Sequence, residues 1–345
     1  MHSKERYEPM KSKYLFFSLL ATIMVVAISN SAAELPSYAL FPVKVQEKWG
    51  YINKSGRLDI QPQFEEALPF SEGLAQVKKE DKWGFIDQNG KMVIAPKFEK
   101  SAPFCNGLAG IQLEKGFGYI DKQGKAAVRP YFASGTGFSD GYAAVETPSC
   151  CGGKWIYLDQ RGLMIPNLFF LQAKRFSEGL AAVRAKRWGY INTKGEYVVK
   201  SQLEVANNFS NGLASAAYRA GFNQAGKYGF IDKAGKWVIE QAFERAGTFS
   251  EGLARIRIKE LWGYINPHGK IVINPQFENA DEFSDGLAAV KNNDKWGYIN
   301  RAGLLVIEPN LNRVYAFQNG LALVRIDSQL KYIDKKGNTV WQFEE

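Results

Sequence analysis

Short alternations of apolar and polar residues, each bounded by glycine or a polar cluster, run through nearly the whole chain. The clearest stretch is residues 70–98. There Leu74 and Gln76 alternate with Ala75 and Val77, then Trp83, Phe85 and Asp87 alternate with Gly84 and Ile86. A third apolar run, Val93 and Ile94, ends near Pro96 and Phe98. A period of two predicts three short β-strands in this stretch. The turn between the second and third strand has its own signature, Asp87 followed three residues later by Gly90. The same spacing recurs at Asp121 and Gly124, Asn192 and Gly195, Asp232 and Gly235, and Asn300 and Gly303. Asp or Asn opening a type I turn, closed by glycine, makes a compact hairpin. Pro62, Pro96, Pro130, Pro275 and Pro309 mark strand ends or edges, because proline cannot donate to a ladder. Helical stripes are absent beyond the N-terminal segment, so an all-β fold is expected.

The alternation is itself periodic. One aromatic slot holds Trp49, Trp83, Phe117, Trp155, Trp188, Tyr228, Trp262 and Trp296, and ends degenerately at Leu330, in steps of 34, 34, 38, 33, 40, 34, 34 and 34 residues. A fixed period of this size means one supersecondary unit copied along the chain. From the slot to the next Phe of a Phe-Ser-x-Gly-Leu motif is 21 residues in every case (Phe70, Phe104, Phe138, Phe176, Phe209, Phe249, Phe283, Phe317). All variation in length therefore falls in the link between strands one and two, which is longest at residues 146–154 and 217–227. One extra residue inside a strand would turn its side chains to the wrong face, whereas a hairpin tip tolerates insertion. The tips are thus expected on one side of a tandem array of about nine three-stranded antiparallel units, spanning residues 38–343, with atypical ends. No strand remains to complete a shared blade, which favours an open, curved, solenoid-like array over a closed propeller-like ring.

Lys-Trp-Gly-Tyr-Ile-Asp, repeated with Phe-Ser-Glu-Gly-Leu-Ala, resembles the bacterial WG-repeat (KWG) family over nearly all of residues 38–343. The resemblance implies a β-rich repeat protein, often exported, with no general enzymatic activity and no cofactor. Departures occur at Trp155-Ile156, where glycine is expected, at Phe117 and Tyr228 in place of tryptophan, and at Leu330-Lys331.

The N-terminus differs in kind. Lys11 and Lys13 precede an apolar run over residues 14–28, followed by small residues ending at Ala33. This is the layout of a signal peptide over residues 1–33, and the run is short for a bilayer span of about 20 residues. An exported protein of the periplasm, cell envelope or extracellular space is expected. The formal net charge is +9; removing residues 1–33 takes four of 44 basic and two of 35 acidic residues, leaving 40 − 33 = +7. The excess is spread over the repeats, which favours anionic surfaces and gives no block of the nucleic-acid type.

Three cysteines, Cys105, Cys150 and Cys151, cannot staple nine units, and their odd number leaves at least one thiol outside any intramolecular pair. His268 is far in sequence from all three, and no phosphate loop, dinucleotide fingerprint, zinc motif or nucleophile elbow is present. No catalytic, cofactor or metal site is predicted. The aromatic slot is assigned to the core and the Asp/Asn column to turns. The candidate binding surface is the tip side. It comprises Thr147, Ser149, Cys150 and Cys151 in one long tip, Phe222, Asn223 and Gln224 in the other, and a basic column of Lys82, Lys154, Arg187, Lys227 and Lys295. The expected function is an exported, non-enzymatic scaffold binding a protein or anionic glycan there. A hydrolase on a closed ring and a passive spacer are the alternatives.

Overall fold

A computed structural model describes residues 39–166, 168–218 and 226–344. The predicted signal segment lies outside them. Nine antiparallel sheets follow one another along the chain. Most hold four strands, here a to d, in place of the three expected. In blade two these are Glu66–Ala67, Ala75–Lys79, Lys82–Ile86 and Met92–Phe98. The unforeseen strand a is two residues long in most blades, too short to leave a pattern in sequence.

Turn chemistry sets the register within each blade. Asp87 Oδ1 accepts the N–H groups of Asn89 and Lys91 at 2.9 Å each, closing the c–d turn. The b–c tip is a two-residue turn in which Glu80 and Asp81 both have positive φ, 53° and 58°. Such a turn matches the twist of a hairpin. Glu65, just before strand a, caps it by accepting the N–H groups of Glu80 and Asp81 at 2.9 and 3.1 Å. Those two N–H groups hold the Glu65 carboxyl below its usual pKa. Glu244 and Glu278 repeat this cap in later blades.

The glycine of Trp-Gly has a steric cause. A Cβ at Gly84 would sit 2.6 Å from the Ile94 oxygen and 2.8 Å from the Pro96 nitrogen, so strand d passes directly over it. The register shows the same crossing. Between the pairs Phe85–Ile94 and Trp83–Phe98, strand c advances two residues and strand d four. Blade four supplies the contrast, because Ile156 stands where glycine is expected. Its sheet has only Ser134–Gly135, Tyr142–Glu146 and Trp155–Asp159. The segment after them keeps isolated bridges at Leu158–Met164 and Trp155–Phe170, on either side of the blocked crossing.

The core lies between blades. Leu74, Phe85, Ile94 and Phe98 of blade two pack on Phe104, Ala109, Ile111 and Ile120 of blade three. The Trp slot is half-buried and leans on these clusters, as Trp83 does here. The fully buried aromatic is two residues further on, at Tyr51, Phe85, Tyr119, Tyr157, Tyr190, Phe230, Tyr264 and Tyr298. Where it is tyrosine its hydroxyl needs a buried acceptor. Tyr190 donates to the Asn207 oxygen at 2.6 Å, and Tyr264 to the Asp281 oxygen at 2.7 Å. Burial drives these phenol pKa values far above normal.

Two further bonds join successive blades. The Ser71 hydroxyl donates to the Phe104 oxygen at 2.7 Å, and the Glu72 carboxylate accepts the Gly107 N–H at 2.9 Å. Ser284 with Phe317, and Asp285 with Gly320, repeat the pair between blades eight and nine.

The array is closed, which corrects the expectation of an open solenoid. Phe41, Val43 and Ile52 of blade one form one buried cluster with Leu321 and Tyr332 of blade nine and with Phe343. Phe41 and Tyr332 meet edge to face at 5.5 Å, and Tyr332 donates to the Pro42 oxygen at 3.2 Å. The protein is therefore a nine-bladed, propeller-type ring. No shared blade is needed, because the apolar face left bare on the last sheet is covered by the first without strand pairing between them among the described residues.

Candidate functional site

Each sheet repeats the same meander, so the b–c hairpins share one face of the ring. Thr147, Ser149, Cys150, Cys151 and Lys154 come together there in the tip of blade four. Thr147 closes the loop, its N–H donating to the Lys154 oxygen at 2.8 Å and its Oγ1 accepting the Lys154 N–H at 2.9 Å. A short 3-10 turn, Ser149–Cys151, then presents three exposed side chains. The two sulfurs are 3.6 Å apart, and the Tyr131 hydroxyl lies 3.2 Å from Cys151 Sγ. Hydrogen bonds from Tyr131 and then Cys150 hold the Cys151 thiol below its ordinary pKa, while Cys151 pushes Cys150 up. This is a solvent-facing pair of thiols of unequal acidity.

The other predicted residues are distributed around the ring. Lys82 and Lys227 are exposed, and Lys295 is half-buried at the start of its strand. Arg187 is half-buried and paired with Glu204 at 3.4 Å, which partly neutralises it. Phe222, Asn223 and Gln224 lie outside the described residues. The basic column is thus an arc of separate charges on separate blades, without a common focus.

The sequence reading missed a cleft of about 390 Å³ between blades six and seven, at the same end of their strands. Its walls include Tyr228, Arg245, Gly247, Arg257 and Trp262. Arg255 lies over Trp262 at 5.0 Å and reaches blade eight, with Glu282 at 3.0 Å and Asp281 at 3.5 Å. Burial raises the Asp281 pKa, with Arg255 opposing it. The signal lay in the repeats: Arg255 aligns with Gln76, Ala144, Ala182 and Ala289, so a long cation at that slot departs from its neighbours.

Cys105 and His268 each occupy a repeat position with its own hydrogen bonds. Cys105 takes the serine slot of its blade, and Arg175 donates both to Cys105 Sγ at 3.1 Å and to the Phe138 oxygen at 3.2 Å. Arg175 thus supplies the inter-blade bond to the Phe oxygen that serine makes elsewhere. His268 sits in a c–d turn, its N–H bonded to Asn266 Oδ1 at 3.0 Å. Among the described residues no three His, Cys, Asp or Glu side chains converge as a metal site. No helix among them is long and apolar enough to cross a membrane.

A family profile described as a WG containing repeat matches residues 49–83, 83–116, 117–147, 188–217, 228–262, 262–296 and 296–329. The gap after residue 147 contains Trp155-Ile156, where the glycine is lost and strand d is broken. No curated protein sequence matches the chain. Among solved structures, dihydro-heme d1 dehydrogenase NirN in complex with DHE is similar at 13% identity and TM-score 0.48, over 79% of this chain and 73% of that one. The tricorn protease is similar at 9% identity and TM-score 0.40, over 88% of this chain and 43% of that one. PorZ, a surface component of the type-IX secretion system of Porphyromonas gingivalis, gives 10% identity and TM-score 0.31, over 88% of this chain and 57% of that one.

Proposed function

The chain belongs to the WG-repeat family, and we propose that it serves as an exported, non-enzymatic ring scaffold that binds a protein or anionic glycan of the cell envelope through its tip face. The observation that carries this reading is the exposed tip of blade four, a built loop longer than the two-residue turns at Glu80–Asp81, Lys259–Glu260 and Asn293–Asp294. Its 3-10 turn presents Ser149, Cys150 and Cys151 to solvent, with Lys154 at its base. An array of similar units distributes modest contacts over a surface and does not gather unlike groups into one reactive pocket. The basic charges on that face favour an anionic partner. The leader-like segment over residues 1–33 supports export.

The test is a pull-down from envelope extract with the mature protein, comparing the intact chain with one lacking residues 148–152 and 220–225. Weaker capture by the shortened protein, with an unchanged melting temperature, supports the reading. Equal capture by both removes the tip loops from the account.

A further inference from the structure

One cross-strand position acts as an electrostatic column around the ring. Strands a and b place Glu66 opposite Lys78, Ser134 opposite Glu146, Gln172 opposite Arg184, and Val205 opposite Ala217. These pairs are complementary or neutral. Lys78 bonds Glu66 at 3.1 Å, and the Ser134 hydroxyl donates to Glu146 at 2.9 Å. Blades seven and nine depart from this, setting Arg245 opposite Arg257 and Arg313 opposite Arg325. Like charges directly opposite each other destabilise a sheet.

Arg245 is exposed and Arg257 half-buried, so solvent screens part of the repulsion. The acidic neighbours are engaged elsewhere, Glu244 in capping the tip turn and Asp281 and Glu282 in holding Arg255. Arg257 Nε donates to the Glu260 oxygen at 3.1 Å, and no salt bridge to Arg245 or Arg257 forms among the described residues. Both arginines line the cleft of about 390 Å³, in a size range typical of small-ligand sites. Over Gly247 lie Arg255 and the Glu282 carboxylate, which a Cβ there would meet at 2.9 and 2.6 Å, and Tyr228 and Trp262 add half-buried aromatic surface.

We propose that this cleft binds the oxyanion of an acidic saccharide, a sugar ring carrying a carboxylate or phosphate. Two guanidinium groups on one wall match the forked geometry of such anions, and an anion between them converts their repulsion into attraction. The apolar face of a sugar ring packs on an aromatic face, which Tyr228 offers beside a Trp262 ring that Arg255 overlies at 5.0 Å. The inference deepens the proposed function by giving an anionic partner a definite seat on the tip face, and it rests on that reading for the partner's class. It does not depend on the tip of blade four.

Blade nine provides an internal control. Arg313 faces Arg325 in the same register, but Arg313 is laid over the Tyr315 ring at 5.1 Å. The experiment titrates the full mature chain by calorimetry with tetragalacturonate, with glucose 1-phosphate and with neutral maltotetraose. Binding of at least one charged probe and not the neutral one is expected, and the charged arms separate carboxylate from phosphate. Arg245→Gln with Arg257→Gln should weaken that binding by at least about tenfold, the size of losing charge-assisted bonds. Arg313→Gln with Arg325→Gln should leave it unchanged. Equal weakening by both double variants means diffuse charge and overturns the cleft. So does equal binding of the neutral probe, or no binding of either charged probe. Retained probe binding after deletion of residues 148–152 separates this site from the loop reading: that deletion can abolish partner capture while the cleft still works.

Discussion

Two kinds of junction hold the ring together. Between blades eight and nine, backbone-directed polar bonds recur: the Ser284 hydroxyl donates to the Phe317 oxygen, and Asp285 accepts the Gly320 N–H and pairs with Lys335 at 2.7 Å. Where blade nine meets blade one, Gln318 occupies the serine slot, and Tyr332 bonds the Pro42 oxygen at 3.2 Å. Tyr332 touches Phe41 at 5.5 Å and Phe343 at 5.7 Å, and Trp49 meets Phe343 at 6.4 Å. Both junctions thus combine buried aromatic packing with a tyrosine hydroxyl bond to a backbone oxygen, at the seam from Tyr332 to Pro42 and between blades eight and nine from Tyr298 to Tyr315. Regular junctions add directional bonds that fix the angle between blades.

The largest expected effect is at the seam. Tyr332→Ala removes the side chain that packs on both partners and bonds the Pro42 oxygen, and should cost about 3–5 kcal/mol in denaturant unfolding. An effect as small as a surface substitution would mean that the seam does not close in solution. Next, Gly84→Ile imports the residue of blade four into a regular blade. It should cost about 3 kcal/mol and expose the amides of Met92–Phe98 to hydrogen exchange, leaving the Ser71 junction bond in place. Retained protection there would contradict the steric account of the glycine. Ser284→Ala, at a regular junction, should cost about 1 kcal/mol, the value of one hydrogen bond.

The smallest effect is a pH dependence. Burial tends to raise the Asp285 pKa, but Lys335 and the Gly320 N–H outweigh it and leave it lowered. A carboxyl depressed in the folded state contributes stability above its unfolded pKa and loses it as pH falls through the folded one. Asp285→Asn should therefore destabilise by less than about 1 kcal/mol at neutral pH. The gap between variant and parent should close below the ordinary carboxylate range. A gap that persists at low pH would place the effect in packing.

Much of the blade was legible in the sequence because strand alternation, the Asp87–Gly90 turn and the constant spacing are local. Strand a escaped because a pair such as Lys100–Ser101 carries no periodicity. Closure escaped because it rests on contacts such as Tyr332 with Pro42, which no local pattern encodes. The aromatic slot was read as core, and Trp83 does pack on it, but the deepest position belongs to Phe85 and its tyrosine equivalents. The tip of blade four was legible as an insertion. The Arg245–Arg257 pair was hidden, because its register becomes visible only once strand a is seen.

Closure is tested most directly by the distance between the first and last blades. Spin labels at Lys54 and Asn338, both in c–d turns, report it by electron double resonance in the full chain. The closed ring predicts one short, narrow distance of roughly 20 Å or less, as for neighbouring sheets packed about 10 Å apart. A broad distribution centred several times further, as nine sheets stacked openly at that spacing would give, contradicts the ring.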